Sequence, residues 1–110
     1  MTGPMDYEIS PAEAAQALRQ EGARLIDVRE TWEYSVTHVE GSLHMPMGEV
    51  PNRAHAELNT GQRLIVLCHH GVRSLRVTAW LRKQGFDKAQ SLAGGIEAWS
   101  LEVDPELPRY

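Results

Sequence analysis

The chain contains one cysteine, Cys68, which opens the sequence Cys-His-His-Gly-Val-Arg that ends at Arg73. A thiol close to a guanidinium can serve as a nucleophile, because a nearby positive charge favours the thiolate over the neutral thiol. Gly71 lets the backbone between them bend with positive φ, where another side chain would obstruct the turn. These residue types and this spacing predict covalent chemistry at sulfur, with Cys68 as the attacking group and Arg73 as its electrostatic support.

Two elements must position this loop. Residues 64–67 are four branched aliphatic residues without alternation, which predicts a strand buried on both faces in the middle of a parallel sheet. Residues 74–84 are predicted to be helical, with Gly85 at the C-terminal cap. Free N–H groups at the start of that helix would form an anion-binding nest around Cys68, and the nest would stabilise a persulfide anion. The alternative for a lone cysteine is a buried, inert side chain.

The rest of the chain alternates between helix and strand patterns. Ser10, Pro11 and Glu13 predict a helix start, and Gly22 can end that helix. Further strands are predicted at residues 25–28, 42–45 and 89–92, and further helices at residues 31–36, 50–58 and 96–100. This order predicts an α/β fold with a central parallel sheet and helices on both faces. In such sheets, sites lie beyond the carboxyl ends of the strands, which is where Cys68 stands.

Size and composition limit the classes of protein. The 110 residues suit a single domain, with a core at about residues 8–101 and an irregular C-terminal tail at about residues 102–110. A single cysteine excludes an internal disulfide and suits a reducing compartment. The first ten residues lack the pattern of a signal peptide, and no apolar run is long enough to span a membrane. We therefore expect a cytoplasmic protein with no membrane partner.

Charge is distributed unevenly along the chain. Residues 63–88 carry six basic residues and one acid, whereas the other residues carry five basic residues and fourteen acids. The basic stretch contains Cys68, so it could attract small anions and stabilise an anionic sulfur. The alternative is an ordinary helix with a solvated basic face. The net charge of −4 argues against nucleic acid as a partner.

Four other residues could contribute to a site. Asp27, at the end of its predicted strand, could be a general base, or it could pair with an arginine or accept loop N–H groups. Arg29 could bind an anionic donor, or it could pair with Asp27 or Glu33. His69 and His70 invite a metal interpretation, but the other histidines lack ligand spacing. We expect no metal, and expect the two histidines to shape the pocket.

Four motifs in this chain together resemble those of the rhodanese-like sulfurtransferases in their single-domain form. The resemblance lies in residues 25–30 (Leu-Ile-Asp-Val-Arg-Glu, with Glu33 and Tyr34 following), 38–46, 68–74 (Cys-x4-Arg-Ser) and 94–99 (Gly-Gly-Ile-Glu-Ala-Trp). It covers nearly the whole chain, and it is specific because the four motifs occur in the same order. The chain departs from the family at Thr37, where glycine is frequent, and at Ser42, where alanine is usual.

The resemblance implies a parallel sheet of about five strands and an enzyme that moves sulfane sulfur through a persulfide on Cys68. The donor would be a small sulfur anion such as thiosulfate, and the acceptor would be cyanide, a small thiol or a protein thiol from outside the chain. Arg73 and the loop N–H groups would support the charge, and Asp27 and Arg29 would stand beside the site. No cofactor is implied beyond the covalent persulfide. The remaining loop residues are His69, His70, Gly71, Val72 and Ser74.

Two other functions use the same features. A cysteine phosphatase also combines a thiolate, a nest and an arginine. Its loop holds one residue more between cysteine and arginine than the four found here, and the acid for the leaving group is not identified in this chain. A binding module of the same fold would need no chemistry, but such domains often lack the cysteine. The physiological donor and acceptor, the pathway and the oligomeric state do not follow from the sequence.

Overall fold

Strands and helices alternate along residues 5–110, which are the residues that the computed structural model describes. The strands are β1 (Glu8–Ile9), β2 (Arg24–Asp27), β3 (Leu43–His44), β4 (Leu64–Leu67) and β5 (Ala89–Leu92). The helices are α1 (Pro11–Gln20), α2 (Thr31–Val36), α3 (Val50–Glu57), α4 (Val72–Lys83) and α5 (Gly95–Glu102), and a 3-10 turn occupies Met47–Glu49. None of the helices in residues 5–110 has the length and apolar character needed to cross a membrane.

All five strands are parallel and form one sheet in the order β1-β5-β4-β2-β3. This confirms the predicted α/β fold, and it places β4 in the middle of the sheet, as its uninterrupted apolar sequence predicts. The carboxyl ends of β2 and β4 lie side by side, because Asp27 is in register with Leu67. Cys68 therefore leaves the sheet next to the segment that follows β2.

The helices cover both faces of the sheet. Side chains of α3 and α4 pack on one face, with Val66 and Cys68 beneath them. Side chains of α1 and α5 pack on the other face, with Ile65 and Leu67 beneath them. The alternation of side chains along β4 therefore places Cys68 under α3 and α4.

The structure differs from the sequence prediction at several boundaries. β1 was not predicted, because its two residues are too short to show a pattern; Ile9 is nonetheless buried and in register with Leu92 of β5. α4 begins at Val72, two residues before the predicted start at Ser74. Ser10 caps α1 as predicted, by accepting a hydrogen bond from the N–H of Glu13.

The predicted irregular tail contains no helix or strand after Glu102. It is not detached from the fold, however, because Val103, Leu107 and Tyr110 pack against the apolar cluster beneath α1 and α5. The sequence did not indicate these contacts.

Candidate active site at Cys68

Cys68 follows β4 directly, and it is 1% exposed. The chain turns at Gly71, whose φ is 105°, and enters α4 at Val72. This turn directs the N–H groups of Gly71 and Ser74 at the Cys68 Sγ, with N···S distances of 3.1 and 3.3 Å. We call these two N–H groups the sulfur cup. It is the nest that the sequence predicts, and two N–H donors at a helix start suit an anionic sulfur.

Two buried serines extend the polar surroundings of the sulfur. The Cys68 thiol donates a hydrogen bond to the Ser74 Oγ at 3.3 Å, and the Ser74 Oγ lies 2.8 Å from the Ser91 Oγ. Both serines are completely buried. If Cys68 loses its proton, the Ser74 hydroxyl can reverse its role and donate to the sulfur.

The start of α5 holds the backbone of the Cys68 loop in place. The N–H of Ile96 donates to the carbonyl of Cys68 at 2.8 Å, and the N–H of Glu97 donates to the carbonyl of His69 at 3.2 Å. Gly95 permits this approach: a Cβ there would lie 2.3 Å from the His69 carbonyl oxygen and 2.5 Å from that of Cys68. Gly95 is therefore part of the site, since it lets the start of α5 come close enough to hold the backbone of the loop.

Arg73 forms an ion pair with Glu33 instead of a hydrogen bond to the sulfur. Its two terminal nitrogens lie 2.7 and 2.9 Å from the two carboxylate oxygens of Glu33. The Glu33 side chain is 5% exposed and that of Arg73 is 33% exposed. The Arg73 guanidinium is the main reason that the pKa of Glu33 falls to about 2, and Glu33 in turn raises the pKa of Arg73. Arg73 thus brings positive charge to the loop, but a carboxylate offsets part of it.

Asp27 and Arg29 form a completely buried ion pair. The Arg29 Nε lies 2.9 Å from one Asp27 oxygen, and a terminal nitrogen lies 2.6 Å from the other. The other Arg29 donors bond the backbone oxygens of Thr37 and Glu33 and the hydroxyl of Tyr110. Of the alternatives left open by the sequence, the contacts show the pairing of Asp27 with Arg29. Arg29 also fixes the backbone of Glu33, the partner of Arg73.

The two loop histidines stack on each other, with 4.0 Å between ring centroids. The other side of the His69 ring stacks on Tyr110, also at 4.0 Å. Burial is the main cause that lowers the pKa of His69, and the neighbouring His70 is the second. In the part of the chain that the structure describes, no three histidine, cysteine or carboxylate side chains are grouped so as to hold a metal ion.

Tyr110, like Ser91, is a site residue that the sequence did not predict. Its hydroxyl donates to a Glu33 oxygen at 2.6 Å, and its ring covers His69. The residue lies 37 positions from Arg73 in a segment without regular structure. A lone aromatic residue in such a segment carries no periodic signal, so only the folded chain reveals the contact.

Glu33 should make the stability of the fold depend on pH in acid. Its pKa is 4.5 ordinarily and about 2 in the folded protein, so folding favours the carboxylate. The stabilisation is complete above pH 4.5 and is lost as the pH falls towards 2. We expect Glu33→Gln to lower the free energy of unfolding by about 1–3 kcal/mol at pH 7, less than the full shift implies because Arg73 is partly exposed. Urea unfolding should show that the difference in stability between the parent and the variant shrinks between pH 4.5 and 2. A difference that stays constant over this range would show that the charge of Glu33 does not stabilise the fold.

Comparison with known proteins identifies relatives over most of the chain. A family model described as a rhodanese-like domain matches residues 10–102. A thiosulfate sulfurtransferase GlpE of Pseudomonas fluorescens is 36% identical over 94 residues, which are 86% of this chain and 85% of that protein. A GlpE of Actinobacillus pleuropneumoniae is 36% identical over 92 residues, 84% of each chain.

Solved structures show the same fold. A rhodanese-like domain protein from Staphylococcus aureus superposes with a TM-score of 0.80 at 25% identity, over 96% of this chain and 99% of that one. The human single-domain sulfurtransferase TSTD1 superposes with a TM-score of 0.77 at 23% identity, over 89% of this chain and 98% of that one.

Proposed function

This chain belongs to the rhodanese-like domain family, and on that premise we propose that it is a sulfurtransferase that carries sulfur as a persulfide on Cys68. The observation that carries the proposal is the sulfur cup: two backbone N–H groups point at the only cysteine, at the carboxyl end of the central strand. The names of the two bacterial relatives support the same activity. The free thiol suits a reducing compartment, and we place the reaction in the cytoplasm.

The proposed reaction has two halves. In the first, the Cys68 thiolate attacks the outer sulfur of a small sulfur anion such as thiosulfate. An S–S bond to Cys68 forms, the S–S bond of thiosulfate breaks, and sulfite leaves with its electron pair. In the second, an acceptor (cyanide, a small thiol or a protein thiol) attacks the terminal sulfur of the persulfide. That S–S bond breaks and Cys68 leaves as a thiolate, so the cycle closes without a cofactor.

The loop residues have distinct roles in this scheme. The N–H groups of Gly71 and Ser74 would stabilise the negative charge on the thiolate and on the persulfide. Arg73 would attract the anionic donor with the part of its charge that Glu33 leaves uncompensated. The exposed Val72 would border the path of the acceptor, together with the loop histidines His69 and His70.

Asp27 and Arg29 would support the site from beneath. Both are completely buried, so in this arrangement neither is exposed to a donor. Arg29 donates to the backbone oxygen of Glu33 at 3.3 Å and to that of Thr37 at 2.7 Å. The pair would therefore act by fixing the segment that presents Glu33 to Arg73.

Mass spectrometry of the intact protein tests the proposal. After incubation with thiosulfate and removal of the excess, we expect a gain of one sulfur atom, about 32 Da, on most molecules. Cyanide should remove the added mass and release thiocyanate in equal amount. A chain that gains no mass from thiosulfate or from other sulfane donors would contradict the proposal. Turnover of an aryl phosphate without any gain of mass would indicate a phosphatase instead.

A further inference from the structure

The segment after α5 is fastened against the candidate site. Arg109 forms an ion pair with Glu97 of α5, and the side chain of Leu107 packs against the apolar cluster under α1 and α5. The N–H of Leu107 also donates to the backbone oxygen of Asp104, which closes a turn. These contacts bring Tyr110 over the Cys68 loop. The segment lies beyond residues 10–102, which the rhodanese-like model matches.

Tyr110 contacts three groups of the site at once. Its hydroxyl donates to the Glu33 Oε2 at 2.6 Å and accepts a hydrogen bond from Arg29 at 3.0 Å. Its ring lies parallel to that of His69, at an interplanar angle of 8°, and Trp32 meets it edge-on at 6.0 Å. One side chain therefore links the buried Asp27–Arg29 pair, the Arg73–Glu33 pair and the residue next to the nucleophile.

The hydroxyl of Tyr110 and the guanidinium of Arg73 share one carboxylate oxygen. Arg73 donates to the Glu33 Oε2 at 2.9 Å, the same oxygen that accepts from Tyr110. A hydrogen bond from the hydroxyl draws charge from that oxygen, so Glu33 neutralises Arg73 less completely. More of the positive charge of Arg73 then remains for an anion that approaches Cys68.

We propose that Tyr110 is a positioning residue for sulfur transfer that favours the anionic donor, because it fixes Glu33 and thereby the charge that Arg73 presents beside Cys68. The inference rests on the proposed sulfurtransferase function. It concerns chiefly the first half of the reaction, in which the donor is an anion. The acceptor in the second half is a thiol that is mostly neutral as it approaches near neutral pH and carries one negative charge when it attacks, whereas thiosulfate carries two, so the second half depends less on the charge of Arg73.

Tyr110→Phe tests the proposal, because it removes the hydroxyl and retains the ring on His69. Donor and acceptor steps are measured separately in a double-displacement reaction, with thiosulfate as donor and dithiothreitol as acceptor. We expect kcat/KM for thiosulfate to fall about 3- to 10-fold through a higher KM, which is less than the roughly 10- to 100-fold contribution of a direct hydrogen bond to a charged group, because Tyr110 acts through Glu33 and Arg73. The value of kcat/KM for dithiothreitol should fall by a clearly smaller factor.

Tyr7→Phe is the matched control. Tyr7 is 50% exposed, and its ring lies under Arg82, with 4.1 Å from ring centroid to guanidinium carbon. We expect Tyr7→Phe to change neither kcat/KM value. A purely structural role for Tyr110 would lower both values by the same factor, because fewer molecules would be active, and this result would overturn the inference.

Other outcomes separate the inference from the proposed function. If the parent protein takes no sulfur from thiosulfate or from any other sulfane donor, the proposed function fails and the inference fails with it. If the parent turns over and Tyr110→Phe matches it in both steps, only the inference fails. A rise in kcat/KM for thiosulfate would mean that Tyr110 obstructs the donor, and would also overturn the inference.

Discussion

A variant in which serine replaces Cys68 is expected to fold like the parent and to transfer no sulfur. Serine oxygen cannot form the persulfide, so kcat/KM for thiosulfate should fall by at least about 10³-fold. The fold should survive because a hydroxyl oxygen can accept the two hydrogen bonds that the N–H groups of Gly71 and Ser74 donate to the sulfur. We therefore expect the free energy of unfolding to change by less than about 1 kcal/mol.

Cys68→Ala is the informative companion variant. It also removes the nucleophile, but it leaves the N–H groups of Gly71 and Ser74 without an acceptor in a buried place. An unpaired buried donor costs about 1–3 kcal/mol, so the alanine variant should be less stable than the serine variant although both are inactive.

Turnover assays and urea unfolding distinguish the two effects. Residual transfer by Cys68→Ser above one hundredth of the parent rate, which is about 10-fold above the expected limit, would show that the sulfur does not pass through Cys68. Equal stability of the two variants would show that the sulfur cup makes no net contribution to the fold.

The fold was predictable because its strongest signals are local. The apolar run at residues 64–67 and the alternation of helices and strands are enough for a parallel sheet. Glu8–Ile9 escaped prediction because two residues show no periodicity; the strand exists only because β5 offers it a partner. The start of α4 was displaced by two residues because Val72 carries no capping signal, and the turn at Gly71 decides the boundary.

The candidate site was predictable where the sequence is contiguous. The geometry of the loop from Cys68 to Ser74 follows from its local sequence. A glycine between a strand and a helix lets the chain turn, and the turn directs N–H groups at Cys68. The partner of Arg73 was not predictable, because Glu33 lies 40 positions earlier and reaches it only across the ends of two neighbouring strands. Tyr110 was further out of reach, since it joins the site from a segment with no periodic pattern.

Gly95→Ala is expected to damage the site and the fold together. The φ of Gly95 is +63°, a left-handed conformation that costs an alanine about 1–2 kcal/mol. The new Cβ would also lie 2.3 Å from the His69 carbonyl oxygen and 2.5 Å from that of Cys68, so one backbone segment must move. Strain and overpacking together should lower the free energy of unfolding by about 3–5 kcal/mol.

Gly22→Ala isolates the clash from the strain. Gly22 has nearly the same φ, +67°, and a Cβ there would have no atom within 4 Å. We expect it to lose only the strain, about 1–2 kcal/mol, and to keep full transfer activity. The difference between the two variants in the free energy of unfolding measures the cost of the clash between the new Cβ of residue 95 and the Cys68 loop.

Sulfur-transfer activity is the second measurement, and it is made under conditions in which Gly95→Ala remains folded. The displaced carbonyls belong to the nucleophile and its neighbour, and they accept hydrogen bonds from Ile96 and Glu97. A shift of the loop by about 1 Å should therefore lower sulfur transfer by about 10²-fold in molecules that remain folded. If Gly95→Ala were as stable and as active as Gly22→Ala, α5 would not hold the sulfur cup in position. If Gly95→Ala loses activity and Gly22→Ala does not, Gly95 serves the chemistry by letting α5 hold the backbone of Cys68 in place.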